Sequence, residues 1–111
     1  MKVDRKIKLV FAESRLEKEL ERVKIENKEL YKSIERAFYD ISKNPECGIR
    51  IQNKLIPKSY IQKYGIDNLR KYNLSSSWRL MYSVAGNNIE ILAIVLEWLP
   101  HKEYERRFGY S

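Results

Sequence analysis

Residues 69–84 read LRKYNLSSSWRLMYSV, two runs of alternating side chains joined by three serines. Side chains alternate along a strand, so this is the pattern of a two-stranded ribbon with a Ser-Ser-Ser turn. On the first run Leu69, Lys71 and Asn73 share one face, and Arg70, Tyr72 and Leu74 the other. On the second, Trp78, Leu80, Tyr82 and Val84 alternate with Arg79, Met81 and Ser83. One pairing turns the apolar faces together towards a core. The same pairing gathers Lys71, Asn73, Arg79 and Ser83 on the opposite face. Two readings of that face stand at this point. The cations solvate the open side of an antiparallel sheet, or they form a rigid, hydrogen-bonding surface for an anion.

The rest of the chain supplies elements to cover the apolar face. Lys6 to Ala12 predicts a first strand, with Ile7, Leu9 and Phe11 on one side. Ser14 and Glu17 have the spacing of a capping box, in which hydroxyl and carboxylate each satisfy a free backbone N–H. Leu16, Leu20 and Val23 follow at helical spacing, and Leu30, Ile34, Ala37, Phe38 and Ile41 form a second stripe beyond Asn27. This predicts a helical hairpin, Ser14 to about Ile25 and Asn27 to Lys43, with one long bent helix as the alternative. Pro45 stops the second helix by pushing Asn44 out of helical geometry. Cys47 to Ile56 is expected as a connector hinged at Gly48. Pro57 and Gly65 then bracket a short helix, PKSYIQKY, in which Tyr60 and Tyr64 lie one turn apart. Ala85 to Asn88 predicts a hairpin turn, and Ile89 to Leu99, apolar on both faces, a central strand. Glu97 interrupts that strand and is expected at the sheet margin, paired with an arginine or lysine, or in a site. After Pro100, His101 to Phe108 reads as a short polar tail, for which helix is one reading, ended by Gly109.

The expected architecture is therefore α+β: an N-terminal strand and a helical hairpin on one face of a four-stranded, mainly antiparallel sheet. The other face is left open and carries Lys71 and Arg79. At 111 residues the chain is expected to be one domain, residues 1–111. Charged residues make up 33% and hydrophobic residues 43%, which sets it apart from a disordered tail. A formal net charge of +7 attracts polyanions, with nucleic acid the commonest in a cell; an acidic protein or anionic membrane is the alternative. One cysteine and one histidine argue against an internal disulfide or a structural zinc site. The charged N-terminus has no long apolar run behind it, and Ile91 to Leu96 is too short to span a bilayer. A cytoplasmic location without membrane association is expected.

The ribbon LRKYNLSSSWRLMY and the tail HKEYERRFG resemble those of the RelE/ParE toxin superfamily of microbial toxin–antitoxin systems. In RelE-type toxins a basic strand leads into a Tyr-Arg-Leu-x-Tyr strand, matched here by Trp78-Arg79-Leu80-Met81-Tyr82. A basic or His-containing segment with a tyrosine follows an apolar strand, matched by His101-Lys102-Glu103-Tyr104. The resemblance implies a compact RNase-like fold and cleavage of messenger RNA on the ribosome, without metal or cofactor. The RNA 2′-hydroxyl attacks the adjacent phosphate and expels the 5′-oxygen. On the matched positions it implies Arg79 as transition-state stabiliser, assisted by Lys71. Tyr104 would orient or stack on the RNA or transfer a proton; His101 would exchange protons, or is an ordinary exposed histidine at the strand end after Pro100. Lys102, Asn73 and Arg106 would contact substrate. Asn73 stands where some relatives carry a second lysine; it can hydrogen-bond but cannot neutralise charge. Glu97 is a candidate base if its side chain reaches the open face.

The resemblance also implies an acidic antitoxin partner and leaves a homodimer open. Two alternatives stay beside the nuclease: a ParE-like poison of DNA gyrase, and a catalytically inactive RNA- or ribosome-binding protein of the same fold.

Overall fold

A computed structural model describes residues 5–75 and 77–109. Ser76 of the predicted serine turn, and the charged residues Lys2 and Asp4, lie outside them. The chain runs β1 (Lys6–Phe11), α1 (Arg15–Glu26), α2 (Lys28–Lys43), β2 (Ile49–Arg50), a 3-10 turn (Asn53–Leu55), α3 (Lys58–Tyr64), β3 (Arg70–Asn73), β4 (Trp78–Gly86), β5 (Glu90–Pro100) and α4 (His101–Phe108). The strands form one sheet in the order β1-β5-β4-β3-β2. β1 runs parallel to β5, and the other pairs are antiparallel.

The sheet thus has five strands, not the expected four. The fifth is β2, taken in the sequence as part of a connector. Two residues carry too little pattern to be seen as a strand; their pairing with Lys71 and Arg70 makes them one. Gly48, read as a hinge, instead serves close approach. An added Cβ would lie 2.6 Å from the Tyr82 hydroxyl and 2.9 Å from the Lys71 carbonyl oxygen. That hydroxyl is buried, accepts from the Gly48 N–H at 2.9 Å and donates to the Pro45 carbonyl at 2.6 Å. Gly48→Ala is expected to destabilise the fold by about 1–3 kcal/mol by overpacking. A lowered urea midpoint with unchanged slope would show it; an unaltered midpoint would contradict this packing.

The hairpin forms as predicted because Asn27 terminates both helices. Its N–H bonds the Val23 carbonyl at 2.8 Å, and its side-chain oxygen accepts from the Leu30 N–H at 3.1 Å. The expected Ser14–Glu17 capping box is not made. Ser14 already has helical backbone angles (φ −62°, ψ −26°) and its side chain makes no cap bond. A capping hydroxyl needs the extended backbone that aims it back at the first turn.

Two cores result. Val23, Leu30, Ile34, Ala37 and Ile41 of the hairpin meet Leu80, Tyr82, Ala93 and Val95 of the sheet. On the opposite face Ile51, Ile56, Tyr60, Leu69, Met81, Leu96, Leu99 and Tyr104 form a second core. The face expected to lie open is therefore largely covered by α3 and α4. Ser83, assigned to the cationic surface, is buried there and donates to the Asn68 carbonyl at 2.8 Å. β5 is central and buried on both sides, as its apolar run predicted.

Three tyrosines make the fold sensitive to alkali. Burial, then the hydrogen bond to Asp40, pushes the Tyr72 phenol up to about 12. Burial raises Tyr82, and burial followed by the Glu97 carboxylate raises Tyr60. A phenol ionises near pH 10 in the unfolded chain, so the folded state holds these protons more tightly. Their stabilisation is complete below pH 10 and is lost as pH rises towards and past 12. Melting temperature is expected to be insensitive to these groups up to pH 10 and to fall above it; a flat profile to pH 12 would count against their burial.

Candidate active site

The β3–β4 register places Asn73 opposite Arg79 and Lys71 opposite Met81. Directly paired residues share a face, so Lys71, Asn73 and Arg79 stand on the side away from the α1–α2 hairpin. β5 runs on beside β4 to Pro100, opposite Trp78, and α4 begins at the next residue. The His101 N–H bonds the Ser77 carbonyl at 2.7 Å, pinning the start of α4 to the end of the ribbon. Residues 79 and 101, 22 positions apart, are brought together by this junction.

Arg79 is partly exposed and held from three directions. Its Nη1 donates to the Ser75 carbonyl at 2.8 Å and to the Trp78 carbonyl at 3.0 Å, and its Nη2 lies 3.0 Å from His101 Nδ1. A guanidinium has no acceptor. Nδ1 must therefore offer its lone pair, and the ring hydrogen sits on Nε2. Nε2 in turn lies 2.8 Å from Glu105 Oε1, one helical turn along α4. The result is a chain of three groups, Arg79, His101 and Glu105, with imidazole and carboxylate about 40% exposed (42% and 36%). A fixed cation adjoins an imidazole nitrogen that accepts its hydrogen bond, and a planar guanidinium of this kind can also take an anion.

The other predicted residues fall into different settings. Lys71 is partly exposed, with its ammonium 4.9 Å from the centre of the Tyr104 ring. Tyr104 itself is 1% exposed and stacks on Phe108 with centroids 4.5 Å apart. Its ring belongs to the second core and forms the floor beneath Lys71. Asn73, Lys102 and Arg106 are exposed; Arg106 is turned to Glu103 at 2.5 Å.

Glu97 does reach this side of the sheet. Met81 pairs with Glu97 but Tyr82 pairs with Val95, so a bulge at Leu96 turns Glu97 to the face of Met81. There the carboxylate accepts from the Tyr60 hydroxyl and from Arg107 Nη1 at 2.6 Å. Arg107 also holds Glu103 at 2.9 Å. Burial works against the charge of Arg107, yet Glu97, Glu103 and Tyr60 together raise its pKa above the ordinary value. Arg106 and Arg107 hold the Glu103 carboxyl below its usual range. This network ties α4 to α3 and β5, and occupies Glu97 in holding the helix.

Glu105 was not singled out in the sequence. Its signal was present: it follows His101 by four residues, the spacing that places two side chains on one side of a helix. Among the described residues no group of three or more His, Cys, Asp or Glu side chains is arranged to hold a metal ion. Among the described residues no helix is long and apolar enough to cross a membrane.

No family model matches the chain, and no curated protein matches it in sequence. Among solved structures it is similar to a YoeB/ParE toxin from Agrobacterium tumefaciens, with a TM-score of 0.57 and 18% identity over 85% of this chain and 98% of that one. At that identity the likeness is one of fold. The α+β fold expected from the resemblance to the RelE/ParE superfamily is the fold this chain has.

Proposed function

We propose that this chain, folded as RelE/ParE toxins are, is a RelE-like toxin that cleaves messenger RNA on the ribosome. The observation that carries the reading is the direct contact between Arg79 Nη2 and His101 Nδ1 at 3.0 Å. Cleavage by the RNA's own 2′-hydroxyl needs a fixed cation for charge gathering on the phosphate and a base for the hydroxyl proton. Both are present within one hydrogen bond of each other.

In the reaction the phosphate draws the Arg79 guanidinium, whose planar fork suits two phosphate oxygens. That releases Nδ1, and the 2′-hydroxyl takes its place there. The 2′-oxygen forms a bond to phosphorus as its proton passes to Nδ1. The P–O5′ bond breaks with its electron pair on O5′, which takes a proton from water. The products are a 2′,3′-cyclic phosphate and a 5′-hydroxyl. Lys71, diagonal to Arg79 on the same face, adds positive charge, and Asn73 a neutral hydrogen bond. Tyr104 supports Lys71 from below. Lys102 and Arg106 on the exposed side of α4 contact the RNA or ribosome backbone. With a net charge of +7, the partner that silences such a toxin is an acidic protein.

The test is to add the purified protein to a translating extract with one defined message. Cuts phased to codons, bearing cyclic phosphate and 5′-hydroxyl ends, are expected. Intact message with double-strand breaks in supercoiled DNA and gyrase would overturn the proposal in favour of a gyrase poison. Salt-dependent binding without cuts would leave an RNA-binding protein.

A further inference from the structure

We propose that Glu105 is a positioning residue for His101: it holds the imidazole in the Nε2–H tautomer, with the Nδ1 lone pair aimed at Arg79. The proposal rests on the nuclease reading for its effect on rate, but its geometric half stands apart from it. Three observations carry it. Glu105 Oε1 lies 2.8 Å from Nε2, while the opposite nitrogen faces the arginine at 3.0 Å. The ring is therefore gripped at both ends, and its plane is set by two groups that disagree in charge. Next, the backbone of the same histidine is pinned to Ser77 at 2.7 Å, so its position as well as its tautomer is determined.

The third observation concerns the partners Glu105 does without. It is followed directly by Arg106 and Arg107, yet both turn to Glu103, and Arg107 also reaches Glu97. Among the described residues Glu105 makes an ion-pair contact with His101 alone. A half-exposed carboxylate–imidazole contact contributes little to stability, so stability gives small reason for this choice of partner. Its chemical consequence is larger. A carboxylate on the far nitrogen fixes the tautomer of a catalytic histidine and stabilises the imidazolium formed when the near nitrogen takes a proton. During cleavage Nδ1 gains the 2′-hydroxyl proton while Nε2–H stays donated to Glu105, so the positive charge forms beside a carboxylate already in place.

His101 is the chain's single histidine, which makes the imidazole nitrogen spectrum unambiguous. The test pairs that NMR readout with kinetics on the full chain. The unaltered protein is expected to show a predominant Nε2–H tautomer in its neutral imidazole. Glu105→Ala is expected to relax it to a mixture, to lower kcat about tenfold or more, and to leave KM within about twofold. Glu105→Gln keeps an acceptor without charge; it should restore the tautomer and only part of kcat. A spectrum unchanged in Glu105→Ala overturns the positioning role, whether or not the protein cleaves RNA. An altered spectrum with wild-type kcat overturns its part in catalysis while leaving the nuclease reading intact. Absence of cleavage by the unaltered protein overturns the nuclease reading and the rate effect with it, and the spectrum then decides the geometric half.

Discussion

Replacing Arg79 with alanine is expected to lower the rate of RNA cleavage about 100- to 1,000-fold, the usual effect of removing one preorganised group that meets transition-state charge. The guanidinium is partly exposed and its three contacts are with two carbonyls and an imidazole at the turn end of the β3–β4 ribbon, not with either core. The fold should therefore survive. Circular dichroism and the urea midpoint would be compared with the unaltered chain before activity is scored. Arg79→Lys sharpens the test, because it keeps the charge and loses the planar fork. It should regain a minor part of the rate. Full cleavage by a folded Arg79→Ala protein would remove Arg79 from the site and with it the proposed chemistry.

Tyr104→Ala should act quite differently. The phenol ring is 1% exposed, stacked on Phe108 and covered by Lys71, within a core that also holds Tyr60, Leu69, Met81 and Leu99. Deleting a large buried ring costs about 3–5 kcal/mol. That is a large share of the roughly 5–15 kcal/mol by which a domain of this size is held folded. The expected result is a steep fall in the urea midpoint, with loss of activity following loss of folded protein. Tyr104→Phe keeps the ring beneath Lys71 and is expected to cleave RNA within a few-fold of the unaltered chain. A wild-type midpoint for Tyr104→Ala would contradict the burial. A hundredfold loss in stably folded Tyr104→Phe would return the hydroxyl to the chemistry that the family resemblance implies for it.

These two residues also divide what the chain announces from what it conceals. Arg79 was legible because strand alternation puts it on the face opposite Leu80 and Tyr82, and the structure pairs it with Asn73 on that face. Tyr104 was legible as a motif position but not as a core residue. Nothing local in HKEYERRF tells which way a short polar helix will turn. The turn is set by α4 starting directly after Pro100, the last residue of β5, and by Arg107 reaching back to Glu97 on β5.

Local rules determined most of the fold: the hairpin of α1 and α2, its break at Asn27, the stops at Pro45 and Gly65, and a central, doubly buried β5. Each depends on periodicity, or on residues whose backbone preferences act over a few positions. The fifth strand, the close fit of Gly48 on Tyr82, the covered second face and the meeting of Arg79, His101 and Glu105 were decided by tertiary contacts. They join residues tens of positions apart, or depend on which of two helix faces wins the sheet. Such choices are settled by the summed packing of the whole domain, and no window of sequence contains that sum.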